Sequence, residues 1–300
     1  MPYLVQILLN GAHTGALYAL LAFGYMLTYK VTRRANIAHG AIFAFSGQNL
    51  ILFTAFGWNT LWLIFPLALA FGLAMAAFLS MIAAMMLAKI VFPPLIDKSP
   101  NAMIAATLGV AICLMELARL GAGTRDYWLP QFFASPIMLG GRMGGTLTQI
   151  QILNLLVIAS ILALSEFVLR RTKAGRHLRA VSDEPFAAEL LGIDKTAVTS
   201  IAIVAGSSFA IIGGFLAAMY FGNIGFGSGL VFGLKVLFIA SAGGFSNPLK
   251  AAGGAFLFGL AEALWDGYFP IVYRDAVVYA GLALLLILRS EEEKVTSLRL

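Results

Sequence analysis

The stretch RRTKAGRHLRAVSDEPFAAELLGIDK, residues 170–195, interrupts a chain that is otherwise strongly apolar. Its first ten residues contain five cations and no acid, and these cations are Arg170, Arg171, Lys173, Arg176 and Arg179. A segment this polar does not cross a bilayer, and an excess of Lys and Arg marks a loop on the cytoplasmic side of a membrane protein. The stretch therefore predicts a cytoplasmic loop between membrane-spanning helices.

The same loop carries the signals of a short helix at 182–192. We expect Ser182 to cap it and Pro185 to lie in its first turn, where anions also suit the helix dipole. Gly192 would end it at the C′ position, where glycine commonly adopts the left-handed conformation. Phe186, Leu190 and Leu191 fall at helical spacing and form one apolar edge. A cytoplasmic helix with such an edge is typical of a contact site for another protein.

Composition places the whole chain in the membrane. Of its 300 residues, 60% are hydrophobic and 11% are charged, whereas soluble domains have about 25% charged residues. The net charge of +6 does not indicate a nucleic-acid partner, because the cations cluster at the ends of apolar runs. The single cysteine and three scattered histidines match no metal site. The sequence also lacks a phosphate-binding loop, a serine elbow and an HExxH motif, so we expect neither an enzyme nor a cofactor in this chain.

The apolar runs predict an all-α polytopic membrane protein of about eight transmembrane helices in one domain, residues 1–300. The runs lie near 5–29, 37–56, 61–88, 101–120, 148–168, 198–221, 251–268 and 273–289. A ninth run, near 230–243, falls short of the roughly 20 residues needed to cross. The glycine-rich stretch FGNIGFGSG at 221–229 precedes it. We therefore expect a short broken or re-entrant helix there, of the kind that borders transport sites.

The distribution of cations predicts the orientation. With the N-terminus outside and the short run counted as a crossing, fifteen cations fall inside and four outside. We therefore expect an external N-terminus and a cytoplasmic C-terminus. If the short run is re-entrant, the topology after residue 230 changes.

Two ionisable residues lie within the apolar runs near the C-terminus. Each charge in a span costs roughly 2.5–3.5 kcal/mol on insertion scales, so each needs a partner or a task. We hypothesise that Lys235 and Glu262 form a salt bridge that pins the short helix to the following span. A direct role of the pair in binding a charged substrate is the alternative.

The second span begins with unusually many polar groups, which are Asn36, His39, Ser46 and Gln48. Two interpretations remain open. The groups cap helices and form hydrogen bonds between them, or they form a polar strip along a substrate path.

Four stretches together resemble the permease subunits of the branched-chain amino acid ABC importers. They are NGAHTGALYALLAFGYMLTYK at 10–30, NIAHG at 36–40, GRHLRAVSDEPFAAELLGI at 175–193 and GLKVLFIASAGGFSNPLKAAGGAFLFGLAEAL at 233–264. The resemblance extends from about residue 8 to 289. It departs from the family in the linker KVTRRA at 30–35, which is more basic than expected.

The resemblance implies a transport function and a set of partners. The 182–192 segment would be the coupling helix that docks on a cytoplasmic ATPase. Its contact residues would be Phe186, Leu190 and Leu191, with Asp183, Glu184 and Glu189 at the rim and Gly192 at its end. The partners would be a second permease (a copy or a sister chain), two ATP-binding subunits and an external solute-binding protein. The family's Lys and Glu fall at Lys235 and Glu262.

The resulting expectation is a permease subunit in a bacterial inner membrane, importing branched-chain amino acids or related small polar solutes such as amides or urea. ATP would be bound by the partner subunits only. The alternative function is an ion-coupled secondary transporter, in which Lys235 and Glu262 would couple ion and solute. The 182–192 helix distinguishes the two, because only an importer of the ABC type needs it to bind an ATPase.

Overall fold

A computed structural model describes residues 2–123, 125–138, 145–242 and 247–284. Its helices are α1 (Pro2–Thr32), α2 (Ala38–Asn59), α3 (Phe65–Met86), α4 (Pro100–Gly121), α5 (Gln149–Arg171), α6 (Lys173–Asp183), α7 (Pro185–Leu190), α8 (Lys195–Phe221), α9 (Ser228–Ala242), α10 (Pro248–Tyr268) and α11 (274–284). A π-helical turn at Leu87–Val91 extends α3. The predicted all-α membrane fold is confirmed, and among the described residues α1 to α5 and α8 are long and apolar enough to cross a membrane.

The bundle has an inner and an outer layer of helices. Over the most apolar 18 residues of each helix, 72% are buried in α2 and 67% in α8. The corresponding share is 28% in α3 and in α4, and 11% in α5. Helices that expose apolar side chains over most of their surface suit a lipid environment. We therefore read α1, α2 and α8 as the core of the domain and α3, α4 and α5 as its lipid-facing layer.

The short apolar run forms one continuous helix, α9, which follows a non-helical stretch and crosses the bundle with it. At its start, Gly222 receives a hydrogen bond from Leu129 in the loop after α4. At its far end, Asn247 and Pro248 share a pocket with Lys30 and Arg170 at the opposite end of the bundle. The segment 222–242 therefore connects the two ends, which decides between the crossing and the re-entrant alternatives in favour of crossing.

Small residues allow α9 and the stretch before it to pack closely against α2. The side-chain amide of Gln48 donates to the Ile224 carbonyl at 3.3 Å, and a Cβ added at Gly229 would lie only 2.9 Å from the Cα of Ala41. The stretch before α9 thus lies beside the middle of α2. The first turns of α9 pack against the first turns of α2. Absence of side chains at Gly229 and Gly40 is what permits this backbone-to-backbone contact.

The helix predicted at 182–192 is shorter than expected, and this corrects its boundaries. Thr172, rather than Ser182, caps the first helix of the loop, which runs on to Asp183. Ser182 is buried in its last turn and donates to the Arg179 carbonyl. The chain breaks at Glu184 because the following Pro185 disfavours a helical conformation at the residue before it, and Glu184 has φ −141° and ψ 88°.

The segment α7 therefore spans only Pro185–Leu190. Pro185 occupies the first turn and Gly192 has φ +81°, as the sequence predicted. Asp183 and Glu184 lie before this helix rather than in its first turn.

A small sheet, which the sequence analysis did not predict, precedes α5. Strands β1 (Pro136–Met138) and β2 (Thr146–Thr148) pair antiparallel, with Ile137 opposite Leu147. Thr148 then caps α5 through a reciprocal pair of hydrogen bonds with Gln151. The side chain of Gln6 contacts Thr146 and ties this sheet to the beginning of α1.

Candidate functional site: a charged cavity and an exposed loop helix

A cavity of about 530 Å³ opens between the first half of α1, the last turns of α10 and the start of α11. We call it the α1–α10 cavity. One face of α1 lines it, with polar residues at helical spacing that are Gln6, Asn10, Thr14 and Tyr18. Leu17, Leu21, Phe43 and Phe232 supply an apolar part of the wall. A volume between about 300 and 1,000 Å³ with a few converging polar groups is typical of a small-molecule site.

Glycines set the distance between the two main walls. A Cβ added at Gly15 would lie 2.5 Å from the Phe256 carbonyl oxygen, and one at Gly11 would lie 2.8 Å from the Cβ of Ala263. Real Cβ atoms do not approach so closely, so α1 and α10 meet backbone to backbone along this line. The contact holds the polar face of α1 beside the charged end of α10.

Five charged side chains form a network in the cavity wall. Lys235 Nζ lies 2.8 Å from Glu262 Oε1 and 2.9 Å from an Asp275 carboxylate oxygen. Arg274 Nε lies 3.3 Å from the same Glu262 oxygen, and Arg274 Nη1 lies 3.1 Å from Asp266. Lys235 and Glu262 are buried, whereas Asp275 is half exposed. The structure thus brings Lys235 and Glu262 together, and it adds three partners that the sequence analysis did not connect with them.

These missed partners left a weak signal in the sequence. Asp266 follows Glu262 by four residues on one helix face, and Arg274 and Asp275 begin the next helix after a short connection. An antiparallel helix pair with a short connection places such end residues side by side. Arg274 is one of the four cations placed outside in the charge count, and nothing near it in the sequence indicates its contact with Glu262.

The polar residues predicted along the second span lie elsewhere, and none of them lines the α1–α10 cavity. His39 Nε2 hydrogen-bonds to the Leu21 carbonyl at 3.0 Å. Ser46 donates to the carbonyls of Phe43 and Ile211, and Gln48 to that of Ile224. Asn36 is buried, and its side-chain amide has no hydrogen-bond partner among the described residues. A role for these four residues in a substrate path stays a prediction.

A second polar cluster joins α1, α5 and α8 and was not predicted. The Asn154 amide lies 3.0 Å from His13 Nε2, and the ring centroids of His13 and Tyr220 are 4.1 Å apart. Gln151 bonds to the Tyr220 hydroxyl at 3.1 Å and to Asn10 at 3.4 Å. The cluster links the cavity-lining face of α1 to the lipid-facing helix α5.

The loop at 170–195 presents its apolar edge to the solvent. Phe186, Leu190 and Leu191 are 72%, 74% and 81% exposed. The acidic side chains of Asp183, Glu184 and Glu189 are exposed around them. Single exposed apolar side chains are ordinary, but three on one edge of a short helix form a patch of the kind that contacts a partner.

The opposite side of α7 anchors it to the bundle. Ala188 is buried in a small apolar cluster with Val181, Val31 and Ala202, which belong to α6, α1 and α8. Arg33 donates to the Ser182 carbonyl at 3.0 Å and joins the loop to the end of α1. The loop is therefore packed against both core helices, α1 and α8.

The described residues contain no group of three or more His, Cys, Asp or Glu side chains that could hold a metal ion. The charged groups of the α1–α10 cavity pair among themselves instead.

Comparisons with known proteins agree on one family. A family model described as "Branched-chain amino acid transport system / permease component" matches residues 7–288. The high-affinity branched-chain amino acid transport system permease protein LivH of Salmonella typhimurium is 28% identical over 307 residues, covering 98% of both chains. LivH of Escherichia coli K12 gives the same values, and BraD of Pseudomonas aeruginosa is 26% identical over 291 residues, covering 95% and 94%. Because the family model covers nearly the whole length, this chain belongs to the permease family of branched-chain amino acid transport systems and is a transport subunit, not an enzyme.

Proposed function

We propose that this chain is the transmembrane permease of an ABC importer that carries branched-chain amino acids into the cytoplasm. The observation that carries the proposal is the exposed apolar edge of α7, held rigidly against α1 and α8. A secondary transporter needs no such edge, whereas an ATP-driven importer needs a rigid contact between its ATPase and its spans. The family and the names of its members, which refer to branched-chain amino acid transport, support this class of solute.

The proposed assembly contains a second permease, two cytoplasmic ATPases and an external solute-binding protein. ATP would bind only to the ATPases, because this chain lacks a phosphate-binding loop. In this mechanism, closure of the ATPases moves α7, and α7 moves α1 and α8 through Ala188 and its neighbours. Solute selectivity would reside mainly in the binding protein, and the permease would bind the solute weakly enough to release it.

The proposed orientation has the N-terminus outside and the C-terminus in the cytoplasm of a bacterial inner membrane. Arg33 and Arg34 support it, because they reach the Ser182 carbonyl and the carbonyls of Ile96 and Lys98. The linker after α1, the region before α4 and the cationic loop at 170–195 therefore share one end of the bundle. Concentration of Lys and Arg at one end is the signature of the cytoplasmic side.

The test is a pull-down of the chain from native membranes in wild-type and variant forms. Phe186→Asp and Leu190→Asp each place a charge on the apolar edge, and His177→Asp places one on an exposed site of α6 as a matched control. We expect an ATPase to co-purify with the wild type and the control and to be lost from both edge variants. An ATPase retained by the edge variants, or solute uptake driven by an ion gradient alone, would instead favour the secondary transporter.

A further inference from the structure

A second cavity lies at the end of the bundle that carries the 170–195 loop. Its volume is about 230 Å³, and it lies between the last turns of α1 and α5, the helix α6 and the start of α10. The charged residues that line it are three cations, Lys30, Arg170 and Arg179, and one acid, Glu166. We call it the basic pocket, because its lining carries two positive charges in excess.

The acid of the basic pocket is already engaged. Glu166 pairs with Arg170, one turn further along α5. Lys30 forms no ion pair or side-chain hydrogen bond with any residue that the structure describes. Arg179 donates to the Leu169 carbonyl and forms no ion pair within the same described part of the chain. Both cations are half-buried. Partly desolvated cations are stabilised by an anion, so this lining suits an external anionic group.

The beginning of α10 adds to the positive potential of the basic pocket. Asn247 and Pro248, which line it, are the N-cap and the first residue of this 21-residue helix. The N-terminus of a helix carries a partial positive charge and attracts anions such as phosphate. The Asn247 side chain already caps the Leu249 amide. The contribution of α10 is therefore its dipole, and the direct donors come from Lys30 and Arg179.

The position of the basic pocket favours a lipid as the source of that anion. It lies at the end of α5, the most lipid-exposed of the long helices by its buried share. Leu164, Phe167 and Val168 are exposed on the last turns of α5, directly before Arg170. Leu169 and Leu178 give the pocket an apolar wall. A ligand with an anionic group and an apolar chain fits both parts, and basic pockets between membrane helices bind anionic lipid headgroups.

We propose that the basic pocket binds the phosphate of an anionic phospholipid whose acyl chains lie along α5. Lys30 and Arg179 donate to the phosphate, while Arg170 stays paired with Glu166 at the rim. Because Arg179 belongs to α6, which leads into α7, the lipid ties the loop to the ends of α1 and α5. The inference goes beyond the proposed function, since it concerns neither the solute nor the ATPase.

The experiment is native mass spectrometry of the chain, purified in detergent with its accompanying subunits and freed of bound lipid. The probes are phosphatidylglycerol, which is anionic, phosphatidylcholine with the same acyl chains, which is neutral overall, and inorganic phosphate. We expect phosphatidylglycerol to bind at least about fivefold more tightly than phosphatidylcholine, and millimolar phosphate not to displace it. Equal affinities for the two lipids would overturn the proposal. Displacement by phosphate would assign the pocket to the free anion and overturn the lipid as its source.

Variants locate the site. Lys30→Gln should lower the affinity for phosphatidylglycerol by about fivefold, the contribution of one cation to anionic-lipid binding. Its fold should be unaffected, because Lys30 has no partner among the described residues. Arg179→Gln should act in the same direction. The matched control is Arg171→Gln, which removes an exposed cation beside Arg170 that does not line the pocket. Unchanged affinity in Lys30→Gln, or an equal loss in Arg171→Gln, would overturn the proposal.

A pull-down of the same variants separates the lipid from an acidic segment of a partner protein. Lys30→Gln should retain every subunit that co-purifies with the wild type, because the proposed occupant is a lipid. Loss of a subunit from Lys30→Gln, with unchanged affinity for phosphatidylglycerol, would make the basic pocket part of a protein interface and overturn the proposal. Reduced lipid affinity with all subunits retained would support it, whichever class of transporter the chain belongs to.

Discussion

Helix α7 and the α1–α10 cavity depart in opposite ways from the rule that apolar side chains are buried and charged ones are exposed. In α7, Phe186, Leu190 and Leu191 expose apolar surface at a polar end of the molecule. In the cavity, Lys235 and Glu262 bury charge between apolar helices. Each arrangement is unfavourable in isolation, because apolar side chains gain by leaving water and charges lose by it.

The two departures are resolved differently. The cavity charges find most of their partners inside the chain, in Asp266, Arg274 and Asp275, and leave a single oxygen unpaired. The edge of α7 has no covering element among the described residues, while its other side is packed by Ala188. The buried charges are therefore paired within the chain, whereas the apolar edge of α7 is left for a partner surface.

The largest effect should come from breaking the buried network. Lys235→Met removes the buried cation that contacts both Glu262 and Asp275 and leaves them only the partly exposed Arg274. Removing one partner of a buried pair costs about 3–5 kcal/mol. We expect a large loss of thermal stability in detergent, and a double variant, Lys235→Met with Glu262→Leu, that loses less than the sum of the two single changes. Thermal unfolding of the three variants measures both.

Lys89→Met is the control for this series, because Lys89 lies on an exposed surface. Its unfolding temperature should match that of the wild type. Strictly additive losses in the double variant would mean that Lys235 and Glu262 do not stabilise each other, and the pairing seen in the structure would then not be an energetic one.

A smaller effect is expected on ATPase affinity, and it should differ between the centre and the rim of the α7 surface. Truncation of a central apolar residue, as in Leu190→Ala, should weaken ATPase binding by about 2 kcal/mol or more, as at interface hot spots. Truncation of Glu189 at the rim should change it by less than about 1 kcal/mol, because solvated charges contribute little. Affinity of the purified ATPase for each detergent-solubilised variant gives the comparison, and equal losses would contradict an apolar centre.

The fold was largely readable from the sequence, because transmembrane helices must satisfy their backbone within each apolar run. The spans and the break before α9 follow from run length and glycine content. Pro185 marks the break after α6, but the start of the next helix was not readable, because Ser182 is a good capping residue and yet lies buried in the last turn of α6, with its carbonyl bonded to Arg33. A capping residue shows where a helix can begin, whereas packing decides whether it does.

The candidate site was only partly readable for a related reason. Lys235 and Glu262 stood out because charges are rare in apolar runs, but Asp266, Arg274 and Asp275 lie at helix ends, where charges are ordinary. Their convergence depends on how α9, α10 and α11 pack together. The polar face of α1 follows a spacing visible in the sequence, yet nothing local shows that it borders a cavity rather than another helix.

The smallest of these effects concerns the residue that ends α7. Gly192 has φ +81°, where an L-residue is strained by about 1–2 kcal/mol. Gly192→Ala should therefore loosen the anchored turn while leaving the apolar edge intact, so that ATPase binding weakens only slightly but solute uptake per ATP hydrolysed falls. Hydrogen exchange of amides 185–193 should become faster.

The matched control is Gly109→Ala, since Gly109 is helical and has open space around its Cα. If both variants exchange and transport alike, the rigidity of α7 is not what couples it to α1 and α8. If only Gly192→Ala uncouples hydrolysis from uptake, then α7 acts through its anchored side as well as through its exposed one.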